Sequence, residues 1–171
     1  MVSEGAGRYD WPSPAFFSSK VFGKTRGLKM NRNAGLSVYL LSLFGIGLLG
    51  VGIYFLFVRP ELLPEDVRYM SLSDAQKEIL QSLASSWLKN VFRVLGGFIA
   101  AAGILFIFLA FNSFRRFQTW SWYTAMLSGI TSIGTMTVVN FKIQSDFRWW
   151  ILSLAIIWFC ALVSNVFEKR R

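Results

Sequence analysis

The sequence contains no histidine and a single cysteine, and both shortages limit the chemistry open to this chain. Without histidine, a haem, an imidazole-ligated zinc or copper site and a histidine proton relay lose their usual ligand or base. Cys160 has no second cysteine for an internal disulfide, and its apolar neighbours are typical of a small buried hydrophobe. No P-loop, G-x-S-x-G motif or metal-binding spacing is present. The sequence therefore predicts no enzyme, no metal and no cofactor.

Charged side chains are missing from four long apolar runs. Each run is about 20 residues long, which allows a helix to cross a hydrocarbon core about 30 Å thick. The sequence predicts an all-α integral membrane protein, a bundle of four transmembrane helices with spans at about 36–58, 94–113, 120–140 and 149–167. A proton-coupled transporter is disfavoured, because no carboxyl group lies at depth in these spans.

Two further segments complete the predicted organisation. Residues 1–34 mix aromatic and basic side chains with Pro and Gly, which predicts a cytoplasmic tail beside the membrane domain at 35–168. This tail either adsorbs to the inner leaflet or stays disordered. Met30 is an alternative to Met1 as the start of translation.

The segment 59–93 is the only large loop between predicted spans, and we place it on the outer side of the membrane. Ser73 followed by Gln76 fits a capping box, and Ile79, Leu83 and Trp87 recur at helical spacing. We predict an amphipathic outer helix between spans 1 and 2. It either caps the bundle, lies along the membrane surface or binds a partner.

The formal net charge of +9 is interpreted as a topology signal. With four spans, both termini and the loop between spans 2 and 3 share one side of the membrane. Those segments hold eleven of the 18 basic residues and three of the nine acidic ones. Because cytoplasmic loops are rich in Lys and Arg, we predict a multi-pass protein of the inner (cytoplasmic) membrane, N-in and C-in, with no nucleic-acid partner.

Two kinds of candidate site residue follow. Asn90 and Arg93 lie at the outer start of span 2, where the guanidinium either binds a lipid phosphate or another anion or extends to the headgroups. Small side chains allow helix backbones to approach closely. They predict packing faces at Gly45, Gly50, Gly96, Gly97, Ala100, Gly103 and Gly129.

For the other polar residues the sequence predicts structural roles and no ligand. The Ser and Thr residues of the third span hydrogen-bond either across helices or to their own carbonyls. The acidic residues of the outer loop are mixed with Arg and Lys, so we predict a solvated loop rather than a calcium site. They are Glu61, Glu65, Asp66, Asp74 and Glu78.

The Arg59-Pro-Glu sequence and the run Asn90-Val-Phe-Arg93-Val-Leu-Gly-Gly97 support a family comparison. These motifs follow the first span and begin the second, and two more spans come after them. In this order the chain resembles, over about 36–167, small four-helix bacterial membrane proteins of the broad DoxX-like type. At the end of span 3, Asn140-Phe141-Lys142 replaces the Gly-Arg pair of some relatives. The resemblance implies an accessory role beside redox enzymes or quinone-linked chains, and no catalytic residue.

We therefore expect a non-catalytic accessory or structural subunit of a larger bacterial energy-converting membrane complex. Its partners would be the lipid bilayer and either other membrane subunits or copies of itself, packed through the glycine faces. The alternatives are a small transporter and a lipid- or quinone-binding membrane protein. A membrane enzyme would need an acid, base or metal ligand at depth.

Overall fold

The computed structural model of the protein describes residues 35–170, which form helices and connecting loops with no strand among them. The predicted all-α class is confirmed. The α-helices are α1 Leu36–Ile53, α2 Pro64–Met70, α3 Asp74–Leu109, α4 Thr119–Gly129, α5 Thr135–Lys142 and α6 Arg148–Arg170. Turns of π-helix extend α1 through Tyr54–Val58 and α3 through Ala110–Phe114, and Ile130–Gly134 joins α4 to α5. The predicted tail at 1–34 lies outside the described residues.

Within residues 35–170, three helices are long and apolar enough to cross a membrane: Leu36–Val58, Asp74–Phe114 and Arg148–Arg170. They contain predicted spans 1, 2 and 4 and indicate a multi-pass membrane protein. The predicted third span is helical over 119–142 but is not among the three, because its many hydroxyl groups lower its mean hydropathy. The prediction of four spans is thus confirmed only in part.

The predicted outer helix and second span form one helix, α3, of 36 residues. The predicted capping box is confirmed: Ser73 N–H donates to Gln76 Oε1 at 2.9 Å, and Gln76 N–H donates to Ser73 Oγ at 3.4 Å. No helix end separates residue 93 from residue 94, because no Pro interrupts the helical pattern that begins at Asp74. The segment 74–93 therefore continues into the apolar part of α3 without a break.

Helices α1 and α3 pack backbone to backbone at small residues. A Cβ atom added at Gly103 would lie 2.6 Å from Gly45 O and 2.7 Å from Leu49 N. Beside this crossing, the rings of Phe44 and Phe106 meet edge to face with centroids 4.8 Å apart. This close approach gives the dispersion contacts that hold helices together where lipid removes the hydrophobic drive.

Helices α4 and α6 are joined by two indole hydrogen bonds. Trp158 Nε1 donates to Ala125 O at 2.9 Å, and Trp122 Nε1 donates to Leu162 O at 3.2 Å. Gly129 provides the space against which the Trp158 indole lies. The two bonds run in opposite directions between the helices and fix their register.

The start of α1 is held by a residue of α6. The N-cap, Gly35, has no side chain that can accept a hydrogen bond, and Glu168 supplies the acceptor instead. Its carboxylate accepts from Ser37 N–H at 3.1 Å and from Ser37 Oγ at 2.6 Å. A carboxylate at a helix N-terminus is favourable because it meets free N–H groups and the positive end of the helix dipole. We call this end of the bundle the Glu168 end.

Several hydroxyl groups of the helical residues 119–142 donate to carbonyls of that same segment. Thr124 donates to Trp120 O at 2.9 Å, Ser132 to Ser128 O at 2.6 Å and Thr137 to Ile133 O at 2.7 Å. Of the two interpretations given by the sequence, these residues follow the second, bonding to their own helix. Their donors need no partner from another helix.

Candidate ligand-binding cavity

A cavity of about 650 Å³ lies between α1, α5 and α6, with α2 at one end. Its walls are mostly apolar, with Val51, Met136, Val139, Leu154 and Ile157 among the lining residues. Polar side chains line it where α2 meets the loop after α5: Arg59, Glu65, Asp66, Asn140 and Ser145. We call this the Glu65 end. Small-molecule sites in proteins have this size and this pattern of apolar walls with a few convergent polar groups.

Glycine on α1 creates part of this space. A Cβ atom added at Gly50 would have no neighbour within 4 Å, and Gly50 lines the cavity. Gly47, one turn earlier, is covered by the side chain of Leu154. The sequence predicted Gly50 as a helix-packing residue, but the structure places it on the cavity wall, because it faces away from α3.

Glu65 occupies the first turn of α2 and is only 2% exposed. Ser145 Oγ donates to Glu65 Oε1 at 3.1 Å, and the same oxygen of Ser145 accepts from Phe147 N–H at 3.2 Å. The prediction of a solvated loop is wrong for Glu65, because α2 folds back onto the loop that follows α5. Burial of a carboxyl group with so few partners is costly and therefore points to a site.

Arg59 lies where the π-helical turn after α1 ends, and its side chain is 7% exposed. Its guanidinium donates to Asp66 Oδ2 at 3.1 Å and lies with Cζ 3.4 Å from the ring centroid of Phe92. Asp66 Oδ2 also accepts from Leu63 N–H at 3.0 Å. These contacts join the end of α1, the start of α2 and the middle of α3, and so build the polar end of the cavity.

Burial lowers the pKa of the Arg59 guanidinium, and the carboxylates of Asp66 and, more weakly, Glu65 act in the opposite direction. Arginine remains protonated in proteins, so Arg59 is a cation at any physiological pH. Its direct ion-pair partner is Asp66, and the Glu65 carboxylate attracts it from beyond ion-pair distance. Within residues 35–170, Glu65 has no ion-pair partner, and its side chain accepts a hydrogen bond from Ser145 alone.

The residues that the sequence singled out lie elsewhere. Asn90 and Arg93 are exposed on α3 and do not line the cavity. Four of the small residues lie at the crossing of α1 and α3: Gly45, Gly96, Ala100 and Gly103. Gly129 contacts Trp158, whereas Gly97 faces open space with no neighbour within 4 Å of an added Cβ atom. Cys160, expected to be buried, is exposed on α6.

No protein family, curated protein or solved structure matches the chain. The resemblance to DoxX-like proteins therefore stays a prediction. The description of the cavity therefore rests on the structure of this chain and on no related protein.

Proposed function

We propose that this chain is a non-catalytic membrane protein that binds an amphiphilic, lipid-like molecule in the cavity between α1, α5 and α6. The observation that carries this proposal is the cavity itself, about 650 Å³ of mostly apolar wall with polar side chains gathered at the Glu65 end. An amphiphile places its chain along the wall and its headgroup among the polar residues. This is the lipid-binding alternative among the functions that the sequence allows.

The proposal includes four membrane spans, with residues 119–142 as the third. Two contacts support this. Lys169 Nζ donates to Thr119 Oγ1 at 3.3 Å near the Glu168 end, and Ser145 contacts Glu65 at the opposite end. The segment between them therefore extends between the same two ends as α1 and α6, a length of roughly 35 Å. Hydroxyl groups bonded to their own carbonyls are tolerated in such a helix.

We further propose an N-in, C-in orientation in the cytoplasmic membrane of a bacterial cell, supported by the basic residues outside the spans. Cysteine labelling tests it in a Cys160→Ser background. A membrane-impermeant maleimide should label Ser82→Cys in intact cells and label Ser113→Cys only after permeabilisation, because α3 separates these positions. The reverse pattern would invert the orientation, and labelling of both in intact cells would refute a crossing by α3.

Ligand binding is tested by filling the cavity. Leucine at Gly50 would project into the open space beside Val51, whereas leucine at Gly97 would face open space away from the cavity. We expect Gly50→Leu to reduce photolabelling of cavity residues by about tenfold, since a blocked site loses most of its binding free energy. The probe is dodecanol with a diazirine in its chain, added to protein in phosphatidylcholine nanodiscs, and labelled residues are mapped by peptide mass spectrometry.

Gly97→Leu is the matched control and should label like the wild type at Leu154 and Ile157. Labelling at Phe98 and Phe108, which are exposed on α3, reports how much probe enters the lipid in each sample. Cavity labelling that is equal in both variants after this correction would refute the proposed site.

A second candidate function is the accessory-subunit role. It is supported by an apolar stripe on the extension of α3, where Ile79, Leu83 and Trp87 are exposed at four-residue spacing and Leu83 is 81% exposed. An exposed apolar stripe on a helix is typical of a partner interface, with another membrane subunit or a second copy. The mass of the intact assembly, extracted from its own membranes in mild detergent, distinguishes this role from that of a lone ligand-binding protein.

A further inference from the structure

We propose that the ligand of this cavity carries a protonated amine and that the Glu65 carboxylate binds it. This inference rests on the proposed function and adds the chemical class of the headgroup. It is drawn from the arrangement of charge at the Glu65 end, where one cation and two carboxyl groups line the same space.

Arg59 is the one cation among the described residues that line the cavity, and it is already engaged. Arg59 donates to Asp66 Oδ2 at 3.1 Å and to Pro60 O at 3.2 Å, and a face of its guanidinium lies over Phe92. A ligand anion would have to displace Asp66 from this pair and would approach Glu65 as a like charge. Both costs disfavour phosphate, sulfate or carboxylate headgroups.

Glu65, in contrast to Arg59, has no partner of opposite charge in direct contact within the described part of the chain. Ser145 Oγ donates to Oε1, and Oε2 accepts no hydrogen bond from any described residue, so it is open to a donor from the cavity; Glu65 as a residue is 2% exposed. The Arg59 guanidinium attracts Glu65 only from beyond ion-pair distance, and a buried carboxylate with no cation in direct contact is stabilised strongly by an ammonium group that donates hydrogen bonds to it. A ligand amine would supply that charge, and the net charge of the polar end would become zero.

The shape of the cavity supports a chain attached to this amine. The apolar wall runs along α1 from Tyr54 to Gly47, roughly 10 Å at the rise of an α-helix. Across from it, α6 contributes Leu154 and Ile157. An alkyl chain whose amine contacts Glu65 therefore lies on apolar side chains along its length.

The test compares three diazirine probes that share one chain and differ in headgroup: dodecylamine, dodecanol and dodecanoate. The protein is the full chain in phosphatidylcholine nanodiscs at neutral pH. Labelling of Leu154 and Ile157 is divided by labelling of Phe98 and Phe108, which corrects for partitioning into lipid. In the wild type we expect dodecylamine to label the cavity about tenfold more than dodecanoate. One charge-assisted hydrogen bond provides enough binding free energy for this ratio.

Glu65→Gln should reduce cavity labelling by dodecylamine about tenfold and leave labelling by dodecanol within about twofold, because the amide keeps the volume but not the charge. Labelling by dodecanol also reports that the variant is folded. Glu78→Gln, which changes an exposed carboxylate on α3, is the control and should match the wild type.

The outcomes separate the two proposals. If Gly50→Leu removes cavity labelling but the wild type takes all three probes equally, the amine inference fails and the ligand-binding function stands. If the wild type prefers dodecanoate, the inference is overturned in favour of an anion. If Gly50→Leu changes nothing, both proposals fall. Should Glu65→Gln not fold, the headgroup preference of the wild type alone decides.

Discussion

Replacement of Gly103 by alanine should destabilise the protein by about 2 kcal/mol, the middle of the range for an overpacked contact. The added Cβ atom would lie 2.6 Å from Gly45 O and 2.7 Å from Leu49 N, both backbone atoms of α1. A flexible side chain can rotate out of the way, but a helix backbone cannot. The whole of α1 would have to move away from α3, and the contact between Phe44 and Phe106 would open with it.

The control is Gly97→Ala on the same helix. No atom lies within 4 Å of a Cβ atom at Gly97, so only helix propensity changes, and alanine should be neutral or more stable by about 0.5–1 kcal/mol. Both variants are measured by reversible unfolding in sodium dodecyl sulfate from mixed micelles, followed by tryptophan fluorescence. Equal stability of the two variants would mean that α1 and α3 are not in backbone contact at Gly103.

Replacement of Arg59 by alanine should destabilise the Glu65 end by about 2–3 kcal/mol. The change removes the hydrogen bond to Asp66 and the stacking over Phe92, and it leaves the Asp66 carboxylate partly buried without its cation. Because Asp66 also accepts from Leu63 N–H, the start of α2 loses its orientation. We expect faster proteolysis within residues 60–72, together with the loss of stability in the same unfolding measurement.

Arg68→Ala is the matched control, because Arg68 and its ion-pair partner Asp146 are exposed and 3.6 Å apart. An exposed pair contributes about 0–1 kcal/mol, so this variant should stay close to the wild type. Arg59→Lys should fall between the two, since lysine keeps the charge but loses the planar group that lies on Phe92. Wild-type stability and proteolysis in Arg59→Ala would show that this cluster does not hold α2 in place.

The sequence predicted the helices well, because apolar runs without charge and a capping box are local signals. Ser73 and Gln76 lie three residues apart, so their pairing could be predicted directly. The sequence predicted a boundary between the outer helix and span 2 near residue 93, because the composition changes there from mixed to apolar. Composition changes at a membrane surface, but a helix does not have to end there.

The cavity could not be predicted, because its residues meet only through the fold. Glu65 and Ser145 are 80 residues apart in sequence, and nothing near either of them indicates burial. Gly45 and Gly50 show that the sequence also cannot predict which neighbour a residue of a single helix will face. Both are glycines in an apolar run, yet Gly45 packs against α3 and Gly50 opens onto the cavity. Which face of α1 meets which neighbour depends on the positions of α3 and α6.

The carboxylate that caps α1 also sets an order of events during biosynthesis. Ser37 emerges from the ribosome 131 residues before Glu168. Until α6 is made and packed, the first turn of α1 must satisfy its N–H groups with water or lipid headgroups. Helix α1 is thus completed by α6, and a chain cut short before Glu168 would display an uncapped α1 to the quality-control proteases of the membrane.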